Sequence, residues 1–168
     1  DYRLKLDAVK SKDTNISIGA YNRTERTGEN SVLLGAYGSN GTYLQIYPKT
    51  SGYSLNLTIN ETVNINYNIT TTIGLISGNR STSSNKRKFL NGEKLQDTTY
   101  TTSPNPTQIP TNVKLYVLGR NTVGSLQETR AGEVGMAFVG SSMADSLQKK
   151  FARNMEGYFY KKLGSGTQ

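Results

Sequence analysis

From Tyr53 to Ile69 apolar and polar residues alternate, and that pattern limits the fold more than any other feature of the chain. Tyr53, Leu55, Leu57 and Ile59 share one side; Ser54, Asn56, Thr58 and Asn60 share the other. After Glu61 the alternation resumes, with Val63, Ile65, Tyr67 and Ile69 set against Asn64, Asn66 and Asn68. Successive side chains of a strand point to opposite faces, so the stretch predicts half-buried strands with one polar surface. A row of outward Asn suits sugar hydroxyls, although such a row is more often simply a polar sheet surface.

Further strand-like runs are Ile16 to Tyr21, Ser31 to Tyr37, Thr42 to Tyr47, Ile73 to Ser77, Lys86 to Leu90, Glu93 to Asp97, Lys114 to Leu118 and Glu133 to Val139. Ser39-Asn40-Gly41 and Asn91-Gly92 mark hairpins, because Asn and Gly accept the positive φ of tight turns. Gly78-Asn79-Arg80-Ser81 closes one run. Gly119-Arg120-Asn121 closes another and opens a polar loop through Gly124-Ser125 to Arg130. Pro104, Pro106 and Pro110 keep Tyr100 to Thr111 out of a central strand. Leu4 and Leu6 fit a short edge strand.

A helix is expected from about Ala144 to Leu163. Leu147, Phe151, Met155 and Phe159 recur at helical spacing, flanked by Ala152 and Tyr158. Ser142 is the expected cap, Asp145 suits the first turn, and Lys161 and Lys162 suit the last. Short strands, two Asn-Gly hairpins and one late helix predict an all-β, antiparallel two-sheet β-sandwich or jelly roll with one C-terminal α-helix. Residues 1–13 read as an N-terminal segment or the end of a preceding domain, 14–163 as the sandwich domain, and 164–168 as a flexible tail. Asp1 in place of an initiator Met suggests a processed product or an excised piece.

Several chemistries are excluded by residue type. The chain has no Cys and no His, so a Ser-His-Asp triad, a thiolate nucleophile and an ordinary zinc site are ruled out. No acidic cluster suits calcium, and Gly35, Gly38 and Gly41 read as turn glycines rather than a phosphate loop. Metal and cofactor are therefore expected to be none. Glu93 and Asp97 share a strand face but sit on an exposed hairpin, where nothing raises a carboxyl pKa. The net charge of +8 favours anionic partners. Its one dense run, Lys86-Arg87-Lys88, lies inside a strand, which argues against nucleic acid. No apolar run is long enough to span a membrane.

The order of pieces resembles the concanavalin A-like lectin/glucanase fold in its laminin-G-like form, as found in bacteriophage tail and other virion proteins. The resembling stretches are Leu34-Gly35-Ala36-Tyr37 with Leu44-Gln45-Ile46-Tyr47-Pro48, then Ile73-Gly74-Leu75-Ile76, then Phe89-Leu90-Asn91-Gly92-Glu93. The most specific is Leu115-Tyr116-Val117-Leu118-Gly119-Arg120-Asn121 with Gly124-Ser125, followed by Val134 to Gly140 and the helix. Relatives usually carry Thr or Ser where this chain has Ala144. The resemblance implies a jelly roll, often at the end of a trimeric virion tail protein and exposed on the particle. The strand motif Glu-x-Asp-x-x-Glu of the fold's glucanases is absent, so no catalytic residue and no enzyme activity is expected.

The leading expectation is thus a non-catalytic carbohydrate-recognition or receptor-binding module for a cell-surface glycan, acidic glycans included. The alternatives are a structural or trimerising virion module without a small ligand and, third, a glycan hydrolase with an atypical acid pair. Ligand-binding candidates are Tyr43, Gln45 and Tyr47, which alternate with the core residues Leu44 and Ile46, and Arg23, Arg26, Arg80 and Asn121 from loops. Arg120 is weighed as structural, tying a loop carbonyl or carboxylate.

Overall fold

The computed structural model describes residues 3–4, 15–25, 32–49, 54–61, 66–82, 84–99, 113–129 and 132–163. Tyr53, Val63 and Ile65 of the alternating stretch, Arg26, the loop from Tyr100 to Thr111 and the residues after Leu163 lie outside them. Among the described residues the fold is two sheets and one helix, as the alternation and the hairpins predict.

The first sheet runs β1 (Arg3–Leu4), β10 (Leu115–Val117), β3 (Leu34–Tyr37), β4 (Tyr43–Lys49), β5 (Ser54–Glu61), β6 (Asn66–Asn68). Beside β3 lies β11 (Arg120–Thr122), and beside that β12 (Ser125–Gln127), making eight strands. The second sheet has five, in the order β13 (Val134–Gly140), β2 (Ile16–Asn22), β7 (Gly74–Arg80), β8 (Asn85–Leu90), β9 (Glu93–Thr99). Pairing is antiparallel except between β11 and β3, which run parallel.

The core is the space between the sheets. Leu34, Ala36, Leu44, Ile46, Leu55, Leu57 and Ile59 from the first meet Ile16, Ile18, Ala20 and Ile76 from the second, all buried. Each large aliphatic side chain removed from water contributes roughly 1.5–3 kcal/mol before chain entropy is counted. At the Asn91-Gly92 turn both residues have positive φ, 52° and 79°, which joins β8 to β9 as expected.

The helix α1 (Asp145–Leu163) lies on the outer face of the five-stranded sheet, and its buried stripe differs from the predicted one. Leu147 is 54% exposed, while Gln148, Ala152 and Phe159 are buried. The reason is the surface beneath. Ser77 donates to Gln148 Oε1 at 3.0 Å, and Gln148 Nε2 donates to Ser17 at 3.3 Å. Phe159 stacks on Tyr21 with ring centroids 4.3 Å apart, and Phe151 meets the edge of Phe138 at 5.2 Å. Ser142 does not cap the helix; its N–H and hydroxyl both turn to Asn15 Oδ1. Asn79 instead grips the backbone of Met143, and Arg87 meets Asp145 at 2.6 Å.

Two further expectations are corrected. The segment Gly78-Asn79-Arg80 continues β7 rather than turning, because its partner β2 supplies register mates as far as Ile16. The polar stretch after Gly119 is not an open loop: Arg120 to Thr122 and Ser125 to Gln127 pair as a short hairpin around Val123-Gly124, where φ is 49° and 95°. A purely polar three-residue strand has too little apolar alternation to stand out in sequence.

One patch between the sheets is charged. Lys86 and Lys88 of β8 and Arg80 of β7 are buried. They reach across to the opposite sheet, Lys86 to Glu61 and Lys88 to the Tyr67 ring, 3.6 Å from its centroid. Arg80 donates to the carbonyls of Ile59 and Asn60 at 2.7 and 2.8 Å.

Candidate functional site

The outer face of the eight-stranded sheet gathers the polar chemistry. On β4 the core takes Leu44 and Ile46, so Tyr43, Gln45 and Tyr47 turn the other way. Register then sets Tyr37 beside Tyr43 and Gly35 beside Gln45. On the far side of β3, Arg120 lies level with Gly35 and Thr122 with Tyr37. Gly35 is therefore a strand residue, not the expected turn glycine. A Cβ there would stand 2.5 Å from Val32 Cγ1 and 3.3 Å from Arg120 Cβ and Cγ. Its missing side chain lets the Arg120 stem lie flat across β3.

Arg120 is the centre of the arrangement. Nε donates to the Thr122 hydroxyl at 3.3 Å, and one terminal nitrogen to Gln45 Oε1 at 3.3 Å. The other donates to Glu128 Oε1 at 2.9 Å, an ion pair with side chains 14% and 29% exposed. The guanidinium carbon lies 5.8 Å from the Tyr37 ring centroid and 5.5 Å from that of Tyr43, close enough for cation–π attraction. Those two rings stand 4.5 Å apart with planes inclined at 37°. Burial, then the Glu128 carboxylate, push the Tyr47 phenol up to about 12, against the opposing pull of Arg120. Tyr47 thus keeps its proton at neutral pH and remains a hydrogen-bond donor.

A polar ladder carries the arrangement across the sheet. Gln45 Nε2 donates to Asn56 Oδ1 at 3.4 Å, Thr58 donates to the same oxygen at 2.7 Å, and Asn56 Nδ2 donates to Asn66 Oδ1 at 3.2 Å. Gln45 and Asn56 are buried, so both orient their neighbours instead of meeting a ligand. Of the outward Asn row, Asn66 and Asn68 are the exposed members among the described residues.

The other candidates fall elsewhere. Asn121 is 2% exposed; it donates to the Lys114 carbonyl at 2.8 Å and accepts from Gly124 N–H at 2.7 Å. It builds the hairpin that carries Arg120 and has no face for a ligand. Arg80 is fully buried between the sheets, not on a loop. Arg23 pairs with Glu133 at 3.2 Å and lines an apolar-walled cavity of about 510 Å³ with Val117, Leu118 and β13. Arg26 lies outside the described residues. The sequence reading weighed Arg120 as structural and did not place Glu128 or Tyr37 beside it, yet the structure brings the three together. The signal for Arg120 was its alternation with Asn121. None existed for Glu128, which reaches the site through a left-handed backbone with φ of 52°.

Among the described residues no cluster of three or more Asp or Glu could hold a metal ion, and no helix is long and apolar enough to cross a membrane. The carboxylates of Glu61, Glu93, Glu128, Glu133 and Asp145 each meet a Lys or Arg.

No family model matches the sequence, and a search of curated proteins gives no match. Solved structures do match. The CBM40 domain of the Ruminococcus gnavus IT-sialidase superposes with a TM-score of 0.65 at 13% identity, over 89% of this chain and 91% of that one. The same domain has been solved bound to α2,3 and α2,6 sialyllactose. Domain 4 of AbnA, an extracellular arabinanase of Geobacillus stearothermophilus in complex with arabinotriose, gives 0.62 at 10% identity, over 86% of this chain and 69% of that one. The NanB sialidase of Streptococcus pneumoniae gives 0.64 at 10% identity over 89% of this chain, which spans 26% of the sialidase. At these identities the likeness is one of fold. The chain shares the β-sandwich fold of these domains.

Proposed function

We propose that this chain is a non-catalytic carbohydrate-recognition module, and that its platform is the outer face of the eight-stranded sheet around Tyr37, Tyr43, Tyr47 and Arg120. The carrying observation is the convergence of three half-buried Tyr with a guanidinium held by Gln45, Thr122 and Glu128. Aromatic faces stack on sugar rings, and oriented donors and acceptors read hydroxyls. Fold neighbours solved with sialyllactose and arabinotriose support the reading. The charge pairing of the carboxylates supports the absence of catalysis, since a general acid needs a raised pKa. A setting at the exposed surface of a virion tail or fibre, in a trimer, is part of the proposal and rests on the sequence resemblance. Solution mass tests the trimer.

The test of function is a glycan array with wild type, Tyr43→Ala and Tyr47→Ala. Each variant is expected to lose binding while keeping its melting temperature. Binding unchanged in both, or no glycan bound by wild type, would end the proposal.

A further inference from the structure

Among the described residues, the positive charge seated against the Tyr37 and Tyr43 rings is Arg120, and the fold places a carboxylate against it. Glu128 Oε1 accepts from Arg120 at 2.9 Å, and the remaining guanidinium bonds go to Gln45 and Thr122. Three of the five guanidinium N–H donors are thus engaged by the protein, and the charge is compensated on site. Glu128 Oε2 has no hydrogen-bond partner although its neighbours screen it from water. An acceptor in that position is costly until a donor meets it. The backbone of Glu128 is itself held at φ 52°, a conformation that non-glycine residues adopt at a cost and that clusters at ligand sites. Val32 N–H fixes the Glu128 carbonyl at 3.3 Å.

We infer that the Arg120–Glu128 pair makes this face selective for neutral, hydroxyl-rich glycans over glycans bearing a carboxylate. The inference rests on the carbohydrate-binding reading above and names the ligand class for that site. A sugar hydroxyl is donor and acceptor at once. It can give its hydrogen to Glu128 Oε1, on a side chain that is 29% exposed, and accept from an Arg120 N–H that the protein leaves unused, without disturbing the ion pair. A ligand carboxylate offers acceptors only. It meets repulsion from Glu128 and finds Arg120 already compensated, so it must break a partly shielded ion pair to bind. Tyr47, protonated and beside Glu128, adds another neutral donor to the same rim. The Arg120 charge therefore adds no net positive charge beside the Tyr37 and Tyr43 rings, because Glu128 cancels it on site.

The test compares matched pairs that differ only in a terminal acidic sugar, such as lactose against α2,3-sialyllactose, on an array and by titration calorimetry. Wild type is expected to prefer the neutral member by roughly tenfold or more. Its affinity should change little between about 50 and 500 mM salt, as screening acts on net ionic contacts. Glu128→Gln keeps the shape and the contact to Arg120 but removes the negative charge. It should shift the ratio toward the sialylated member by at least about tenfold. Glu128→Asp keeps the charge and should retain the neutral preference. Wild-type preference for the sialylated member, binding that collapses with salt, or an unchanged ratio in Glu128→Gln with native circular dichroism would each overturn the inference. Should Glu128→Gln fail to fold, the wild-type ratio and its salt response still decide. If wild type binds no glycan, the reading beneath falls as well. If it binds and Tyr43→Ala abolishes binding while the acidic member wins, only the selectivity is wrong.

Discussion

Replacing Lys88 with Met should stabilise the protein near neutral pH and leave it almost unchanged near pH 10. Lys88 is 3% exposed, with its ammonium 3.6 Å from the Tyr67 ring centroid. Burial first, and the neighbouring Lys86 second, bring its pKa down to about 7 from 10.5. The sign follows from proton counting. Between those two values the unfolded chain holds a proton that the fold does not, so stability rises with pH across this window and falls as pH drops toward 7. Below the folded value the full cost is present and constant. At about 1.4 kcal/mol for each pH unit between about 7 and 10.5, the lysine costs on the order of 5 kcal/mol at pH 6 relative to a group that never charges. Attraction between the ammonium and the Tyr67 ring, which Met cannot reproduce, offsets about 1–2 kcal/mol of that. Lys88→Met, close in length and apolar, is therefore expected to gain roughly 3–4 kcal/mol at pH 6 and less than about 1 kcal/mol at pH 10. Urea unfolding of both proteins at intervals from pH 6 to 10 gives the difference, with titrating groups distant from Lys88 cancelling between them. Parallel stability curves, or a variant weaker than wild type at pH 6, would refute the buried-cation argument.

Other substitutions probe the layers around it. Phe159→Ala should cost about 3–4 kcal/mol by chemical denaturation, since Phe159 is buried on Tyr21, whereas the half-buried Phe151→Ala should cost about 1–2 kcal/mol. Gly92→Ala should cost roughly 2–4 kcal/mol, read from the melting temperature, because φ is 79° and the new Cβ would lie 2.8 Å from Ala152 Cβ and 2.9 Å from Lys149 Cα. Gln45→Leu should weaken glycan binding by about tenfold or more on the array, because it removes the acceptor that orients Arg120 and breaks the ladder to Asn56.

The fold was legible where burial is one-sided. Leu55, Leu57 and Ile59 face the core and Asn66 and Asn68 face water, as a period of two demands. The same logic placed Tyr43 and Tyr47 on the outer face. It failed where polar residues are buried. Arg80 is strand interior because its guanidinium caps carbonyls of the opposite sheet, and sequence carries no sign of a donor so distant along the chain. The helix stripe was misread at its first position, Leu147, because apolarity was taken as the marker of contact, whereas the sheet beneath offers Ser17 and Ser77 and so selects Gln148. Glu128 was illegible for a related reason. Its role depends on a positive φ and on a hairpin whose first strand, Arg120–Thr122, is wholly polar, neither of which hydrophobic pattern encodes.

The most direct test of the glycan platform is chemical-shift mapping on the ¹⁵N-labelled protein during titration with a neutral oligosaccharide selected from the array. The expected perturbations cluster at Tyr37, Tyr43, Gln45, Tyr47, Arg120 and Glu128, and vanish in Tyr43→Ala. Perturbations confined to the cavity beside Arg23 and Glu133, or to the exposed face of the helix at Leu147 and Tyr158, would contradict the account.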